Sequence, residues 1–582
     1  MKSPIKISVK IGSKTIKSQS VNISQSVVDH HTFAIFVDAT EISNKDAVIK
    51  AEEVYDVIAK PVLITITNKN DEDDRMDFKG TVNSIDIDKE AGNYDTLVIS
   101  GRSNTMYVDD HAEVCTYSET TFANIAKEVL SDFDGNLIID VSPSIKIDYC
   151  VQYNETAFDF VSRLAFQYGL WFYYNGKDMI IGKYSKRNEY NLSVGNSMQS
   201  FEIALTMLPL NYGYSHYNYI ENNSFTSLAT GIKKPDIGKY AEGTLDASFK
   251  YYNRKPLSVF KLPSNKESIV DQFTKSRVDS GASQMVLLSG FSGNPGLGIG
   301  AVVEVKDQDG DNMGNYNIVR ITHSWNGEGR YKNNFEGIPS SIGCPIPNPN
   351  VRIPKSGNQI ATIVENADPD NMGRVRVRFP WQDQNSMTPW IRVTYPYAGG
   401  GDSYFCPEID DQVMVGFEMN NPDRPFVMGS VYHGKNKPQY ASDDNTVKAI
   451  HTKCGHRIIF EDGDDSMISI YTKDDKNHIV LDVADDGQIS ITTEGVLNLK
   501  GKTINLEGDE LNIKMDSAIN MEAGQDVSMK GANVAVKADQ VASLSGMEAK
   551  ISGDTSAEMT GAQVKVEASA MAVLKGAMVN IN

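Results

Sequence analysis

The chain has 582 residues, of which 40% are apolar, so it has material for about three or four folded domains and is no disordered tail. A net charge of −20 excludes nucleic acid as the main partner, because phosphate binding needs a basic footprint. Five scattered cysteines give no disulfide framework and suit a reducing compartment, and with no apolar segment after Lys2 neither a signal peptide nor a membrane span is expected.

Ile5, Ile7, Val9 and Ile11 alternate with polar residues, which predicts a half-buried strand. Further strands are expected at Val62–Ile66, Gly80–Ile87 and Thr96–Ile99, with the acidic run Asp71–Asp74 as a solvated hairpin tip. Phe122, Ile125, Val129 and Leu130 share a helical face after the cap candidates Ser118 and Thr120. A second helix is capped by Thr156 with Asp159 three residues on, carries Phe158, Val161, Leu164, Ala165 and Tyr168 as its stripe, and stops at Gly169. Leu170–Tyr174, a type I′ turn at Asn175-Gly176 and Met179–Ile181 then read as a hairpin. The cluster Trp171, Phe172, Tyr173 and Tyr174 reads as core and interface in preference to a ligand platform. The β-rich stretch continues to about Ser340, with one helix near Ile269–Val278.

Prolines 345, 347, 349 and 354 mark a linker. Strand candidates follow at Gln359–Val364, Arg374–Phe379, Trp390–Thr394, Gln412–Phe417 and Pro425–Tyr432, a spacing that suits a small OB-type barrel. Arg374, Arg376 and Arg378 read as a solvated outer face of one strand.

From Asp486 the chain repeats every 15 residues, with unit starts at Asp486, Gly501, Asp516, Gly531, Gly546, Gly561 and Gly576. Gly or Asp at each start predicts a corner at positive φ. Apolar pairs spaced by two, such as Ile504 and Leu506 or Val564 and Val566, predict two short strands in each unit. Such units bury their apolar side only against neighbours, and so short a unit favours closure by several chains about one axis. The expected interior includes Val534, Val536, Ile551, Val564 and Val566.

Candidate chemistry fails its context tests. His451, Cys454 and His456 lack a fourth ligand, so no metal is expected. Asp307, Asp309 and Asp311 imitate a calcium loop, but Asn312 and Ile318 stand where Gly and Glu are needed, which leaves a hairpin turn. Gly296, Gly298 and Gly300 precede a strand and not a helix, so no dinucleotide site is expected. No catalytic residue and no cofactor is assigned.

The strings Asp368-Pro369-Asp370, Gly373-Arg374-Val375-Arg376-Val377-Arg378-Phe379-Pro380-Trp381, Val413-Met414-Val415-Gly416-Phe417 and Asn421-Pro422-Asp423-Arg424-Pro425 resemble the VgrG family of type VI secretion spikes. Upstream, Gln152-Tyr153-Asn154-Glu155, Phe160, Arg163-Leu164 and Gly169 are similar to that family's hub motif. One departure is Pro407-Glu408-Ile409-Asp410-Asp411-Gln412-Val413, where Asp410 or Asp411 replaces a turn glycine.

The resemblance implies a mainly β fold: tube-like β-barrel hub domains with an inserted α+β region, an OB-fold barrel, and a C-terminal intertwined trimeric β-prism, or triangular β-helix. On this reading residues 1–340 are the hub with its insert near 110–185, 341–354 a linker, 355–440 the OB domain, 441–470 a neck and 471–582 the prism. The implied protein is a non-enzymatic homotrimer that caps a hexameric, Hcp-like tube, carries effectors and contacts baseplate proteins. It would also meet the target membrane transiently. A PAAR-type tip protein is expected to dock on Met578, Val579, Asn580, Ile581 and Asn582, and the end of the chain there is expected to leave no room for an effector domain. Assembly is expected in the cytoplasm, with export through the contractile apparatus. A phage-tail or extracellular injection hub, a cell-wall-degrading spike and a monomeric solenoid adhesin are the rival readings.

Overall fold

A computed structural model describes residues 5–43, 50–88, 96–183, 188–238, 240–261, 266–328, 330–464, 466–483 and 486–581, leaving aside the side chains of residues 72–73. Two compact units are present, Met1–Ala441 and Ser442–Asn582.

The first unit is built on a 13-stranded sheet. Its main path runs from Met198–Leu205 through Val286–Ser292, Tyr331–Pro339 and Asn312–Trp325 to Ser20–Ser26, then through Thr32–Asp38, Thr96–Ser103, Asp71–Asp88, Pro61–Asn68 and Ile5–Ile11 to Lys14–Ile16. The two halves join where Val21 pairs with Trp325 and Ser26 with Arg320. Each half has its own apolar core, one around Ile23, Ile35, Phe78 and Ile99, the other around Leu288, Val303, Ile318 and Phe335. The N-terminal alternation predicts its strand correctly, with Val9 and Ile11 buried. The acidic run is not the hairpin tip. Lys69 and Asn70 make the turn, and Asp71 already pairs with Asn68 in the returning strand.

Between the halves lies an α+β layer. Its first helix, Phe122–Val129, is capped by Thr121, whose hydroxyl accepts the Asn124 N–H, and not by Ser118 or Thr120. The second, Ala157–Gln167, is capped by Thr156 as expected, and Gly169 takes φ 70° at its end. The strand Trp171–Tyr174 sends Trp171 and Tyr173 into the core of the main sheet and Phe172 and Tyr174 into the core of the helical layer. That alternation accounts for four consecutive aromatics without any ligand. The following turn is not type I′: Asn175 is not at positive φ, and Gly176 (φ 93°) and Lys177 are the central pair between Asn175 and Asp178. The helix expected near Ile269–Val278 spans Glu267–Ser283, and a further helix, Glu242–Tyr251, has no counterpart in the sequence reading. The aspartates 307, 309 and 311 do form a hairpin turn, in which Asp307 Oδ1 accepts the N–H groups of Asp309 and Asp311.

The OB region contains a four-stranded sheet in the order Arg376–Arg378, Gln359–Glu365, Gln412–Phe417, Pro425–Ser430. The expected strand Trp390–Thr394 is reduced to two bridges, Ile391 to Val375 and Val393 to Val427. Those bridges touch the two outer strands and close the barrel over Val375, Val377, Val413, Val415 and Val427. Asp410, at φ 73°, takes the place of the turn glycine, which decides between it and Asp411. Arg374 is not on a solvated face. It is buried and grips Asp368 at 2.7 Å and 2.9 Å.

In the second unit, Val447–His451, Arg457–Glu461, Met467–Tyr471, Asn477–Asp482 and Gln488–Thr493 form a five-stranded antiparallel meander. After it the chain is extended, with bends at residues 494–495, 502, 508–509, 516–517, 524–525, 532, 539–540, 546–547, 554–555, 561–562, 569–570 and 577. The two short strands expected in each 15-residue unit do not form among the described residues after Thr493; each unit instead holds two unbent segments between bends.

Candidate functional site

The meander has one apolar face and one mixed face, and the register makes this explicit. Ile450 pairs with Ile458, Ile458 with Ile470, Ile470 with Ile479 and Ile479 with Ile491, a continuous isoleucine row across five strands. Two residues along, Phe460, Ile468, Leu481 and Ile489 form a second row, and the period of two puts both rows on one face. Most of these side chains are exposed in the single chain, Ile489 by 72%. The other face carries Arg457, stacked 4.4 Å over the Tyr471 ring and paired with Asp475 at 2.6 Å, beside His478. His451, Cys454 and His456 belong to a tight hairpin, in which the Thr452 N–H donates to the His456 carbonyl.

Downstream, the same imbalance is greater. Among the described residues of 494–581 no backbone pairs with another strand of the chain, and every residue is exposed. Val534, Val536, Ile551, Val564 and Val566 are between 52% and 79% exposed. Met578, Val579, Asn580 and Ile581 are likewise exposed, while Asn582 lies outside the described residues. The corners do not use positive φ at their glycines. A Cβ at Gly501 would sit 3.1 Å from the Thr503 carbonyl oxygen, and one at Gly576 would sit 3.0 Å from that of Met578, so the backbone approaches closely at these two corners.

A second functional feature joins the OB region to the α+β layer. Arg163, 1% exposed, holds Glu155 through Nε at 2.6 Å and Nη2 at 2.7 Å, and Nη2 also donates to the Val151 carbonyl at 2.8 Å. Across the junction, Asp423 Oδ2 lies 3.8 Å from Arg163 Nη1, and Oδ1 accepts the Val151 N–H at 2.7 Å. Burial pushes the Asp423 carboxyl up to about 6, against the pull of Arg163 and of that N–H. Asn421 donates to the Lys261 carbonyl at 2.7 Å, and Gln359 to the Tyr153 hydroxyl at 3.1 Å. The motifs around Glu155 and Arg163 and around Asp423 are thus two sides of one buried contact. The sequence reading found both strings but did not pair them, and it missed the isoleucine face, whose strands recur without the 15-residue period.

A β hub and a barrel locked to it, followed by a 15-residue repeat without strand pairing among its described residues, are the features of the hub-and-spike class of injection-machine proteins. The phage tail baseplate hub family model matches residues 30–329, just over half the chain, and the type VI secretion and phage-baseplate injector OB domain matches residues 359–432. The chain belongs to the baseplate hub family, as a VgrG-type spike protein. It is 26% identical over 348 residues to the actin cross-linking toxin VgrG1 of Vibrio cholerae, covering 53% of this chain and 30% of that one. It is 25% identical over 359 residues to the spike protein VgrG1a of Pseudomonas aeruginosa, covering 55% and 53%. The chain therefore spans from under a third to about half of these curated relatives. In fold it is similar to a chain of the Francisella PdpA–VgrG complex, with TM-score 0.56, 10% identity and coverage of 84% and 80%. It also resembles an Escherichia coli type VI secretion component, with TM-score 0.51, 14% identity and coverage of 73% and 99%.

Proposed function

We propose that the protein works as the trimeric spike of a contractile injection system, most simply a type VI secretion system. The carrying observation is the exposed isoleucine face followed by an array with no strand pairing among its described residues. Three meanders with these faces turned inward make a closed three-sided shaft, and three copies of the array supply one another's missing ladders. Covering the exposed part of each such side chain contributes roughly 1 kcal/mol, repeated along the shaft in every copy. Val534, Val536, Ile551, Val564 and Val566 are interior on this reading.

The hub then caps a hexameric Hcp-like tube, and residues 578–582 receive a PAAR-type tip protein. Effectors and baseplate proteins attach to the assembly, which crosses the target envelope when the sheath contracts and leaves the cell by that route. No helix among the described residues is long and apolar enough to cross a membrane. Rigidity is the activity, and no catalytic step is assigned. A Val566→Cys variant of the full chain tests the shaft. Counted against the wild type, whose exposed Cys454 labels in both proteins, the added thiol is expected to resist maleimide until the protein is denatured, and one extra label per chain under native conditions contradicts the packing.

A further inference from the structure

Of the three glycines spaced by two in the loop before the strand Val302–Lys306, two have a local reason to lack a side chain. Gly300 sits at φ 93°, and a Cβ at Gly296 would stand 2.7 Å from the Tyr190 hydroxyl. Gly298 has neither reason. It is not at positive φ, and a Cβ there would meet Gln25 Oε1 at 3.7 Å, an ordinary contact. What its missing side chain does is leave open the floor of a cavity of about 550 Å³, which the loop shares with Gln25, the turn 175–177 and the strand residues Arg75, Asp77 and Lys79.

Gln25, 3% exposed, is the polar group of that floor. Its Nε2 lies 3.3 Å from His31 Nδ1, but its Oε1 has no hydrogen-bond partner among the described residues. An acceptor buried without a donor is costly, so the floor calls for an O–H or N–H. The rim has the opposite character. Asp77 Oδ1 is already taken by Arg75 at 2.9 Å and 3.1 Å and by the Thr65 hydroxyl at 2.7 Å, whereas Lys79 and Lys177 make no ion pair among the described residues. Two exposed, unpaired cations thus border one cavity in a chain of net charge −20.

The rim matches a phosphate monoester, which carries nearly two negative charges at neutral pH, where a carboxylate would leave one lysine unmatched. The floor matches a neutral hydroxyl, since the lysines repel an ammonium. The cavity falls in the range, roughly 300–1,000 Å³, that takes a small organic molecule in preference to a bare anion. We infer that the cavity bordered by Gly298, Gln25, Lys79 and Lys177 binds a sugar phosphate, its phosphate on the lysines and a hydroxyl on Gln25 Oε1. The full-length protein is titrated by isothermal calorimetry with ribose 5-phosphate, and separately with ribose and with inorganic phosphate, in a phosphate-free buffer at ionic strength fixed with sodium chloride. The wild type is expected to take one ribose 5-phosphate per chain, at least roughly tenfold more tightly than either of the other probes. K79Q/K177Q removes the rim charge and should bind ribose 5-phosphate no better than ribose. G298V plugs the floor, spares the rim and should bind it no better than inorganic phosphate. A wild type without saturable binding, inorganic phosphate bound as tightly as the sugar phosphate, or either variant binding like the wild type overturns the inference. Should G298V not fold, G298A, which adds one methyl at contact distance from Gln25 Oε1, is read in its place, and unchanged affinity there counts equally against the site.

Discussion

Asp423 should make the stability of the first unit depend on pH in the direction opposite to that of an ion-paired carboxylate such as Asp368, because burial raises its pKa. Unfolded, its carboxyl has the ordinary value near 3.8, and folded it titrates at about 6. Between those values the folded state binds the extra proton, so the slope of stability with pH is negative. The contribution is full below about pH 4 and is lost as pH rises through 6. A separation of about two pH units at ~1.4 kcal/mol each makes the swing about 3 kcal/mol. Other carboxylates titrate in the same range, so the quantity to measure is wild type minus D423N, in which they cancel. Thermal unfolding followed from pH 4 to pH 7.5 should show the wild type losing ground to D423N by roughly 3 °C, with most of the change between pH 5 and 6.5. A constant difference, or a wild type that gains on the variant as pH rises, refutes the assignment of a desolvated carboxyl beside Arg163.

Arg163→Met should be far more damaging at neutral pH, because it leaves Glu155 and Asp423 buried without their cation; a loss of about 3–5 kcal/mol is expected by calorimetry, and a loss under 1 kcal/mol contradicts the junction. Arg374→Ala should cost roughly 3 kcal/mol for the same reason at Asp368. Asp368, held well below the usual carboxylate range by that guanidinium, contributes stability above about pH 4 that is lost as the pH falls, an effect absent from R374A in acid titrations. Thr156→Ala removes one helix cap and should lower stability by about 1 kcal/mol. Val566→Asp places one carboxylate per copy at a single level of the proposed shaft, so its assembly should lose the resistance to heat and detergent expected of the wild type.

Local chemistry was legible where it was self-contained. The Thr156 cap, the Gly169 stop and the Val9–Ile11 alternation each depend on residues within one turn or strand, and they stand as read. What was misread depended on distant partners. Arg374 belongs to an alternating strand, yet Asp368 draws it under the surface. Trp390–Thr394 has strand composition but meets the barrel only at two points, so its ladder never forms. The corners fall at bends as expected but not through positive φ at their glycines, and a Cβ at Gly501 or Gly576 would sit tightly against a carbonyl oxygen. The isoleucine face was missed because its strands recur about every ten residues, out of step with the 15-residue repeat that begins at Asp486.

The decisive measurement is the mass of the full-length protein in solution, taken by light scattering on a sizing column under native conditions and across dilution. Three chain masses, undiminished as the sample is diluted, are what a shaft with shared walls requires. One chain mass from a cooperatively folded protein would mean that the isoleucine face and the repeats are stable uncovered, and the spike reading would fall with it.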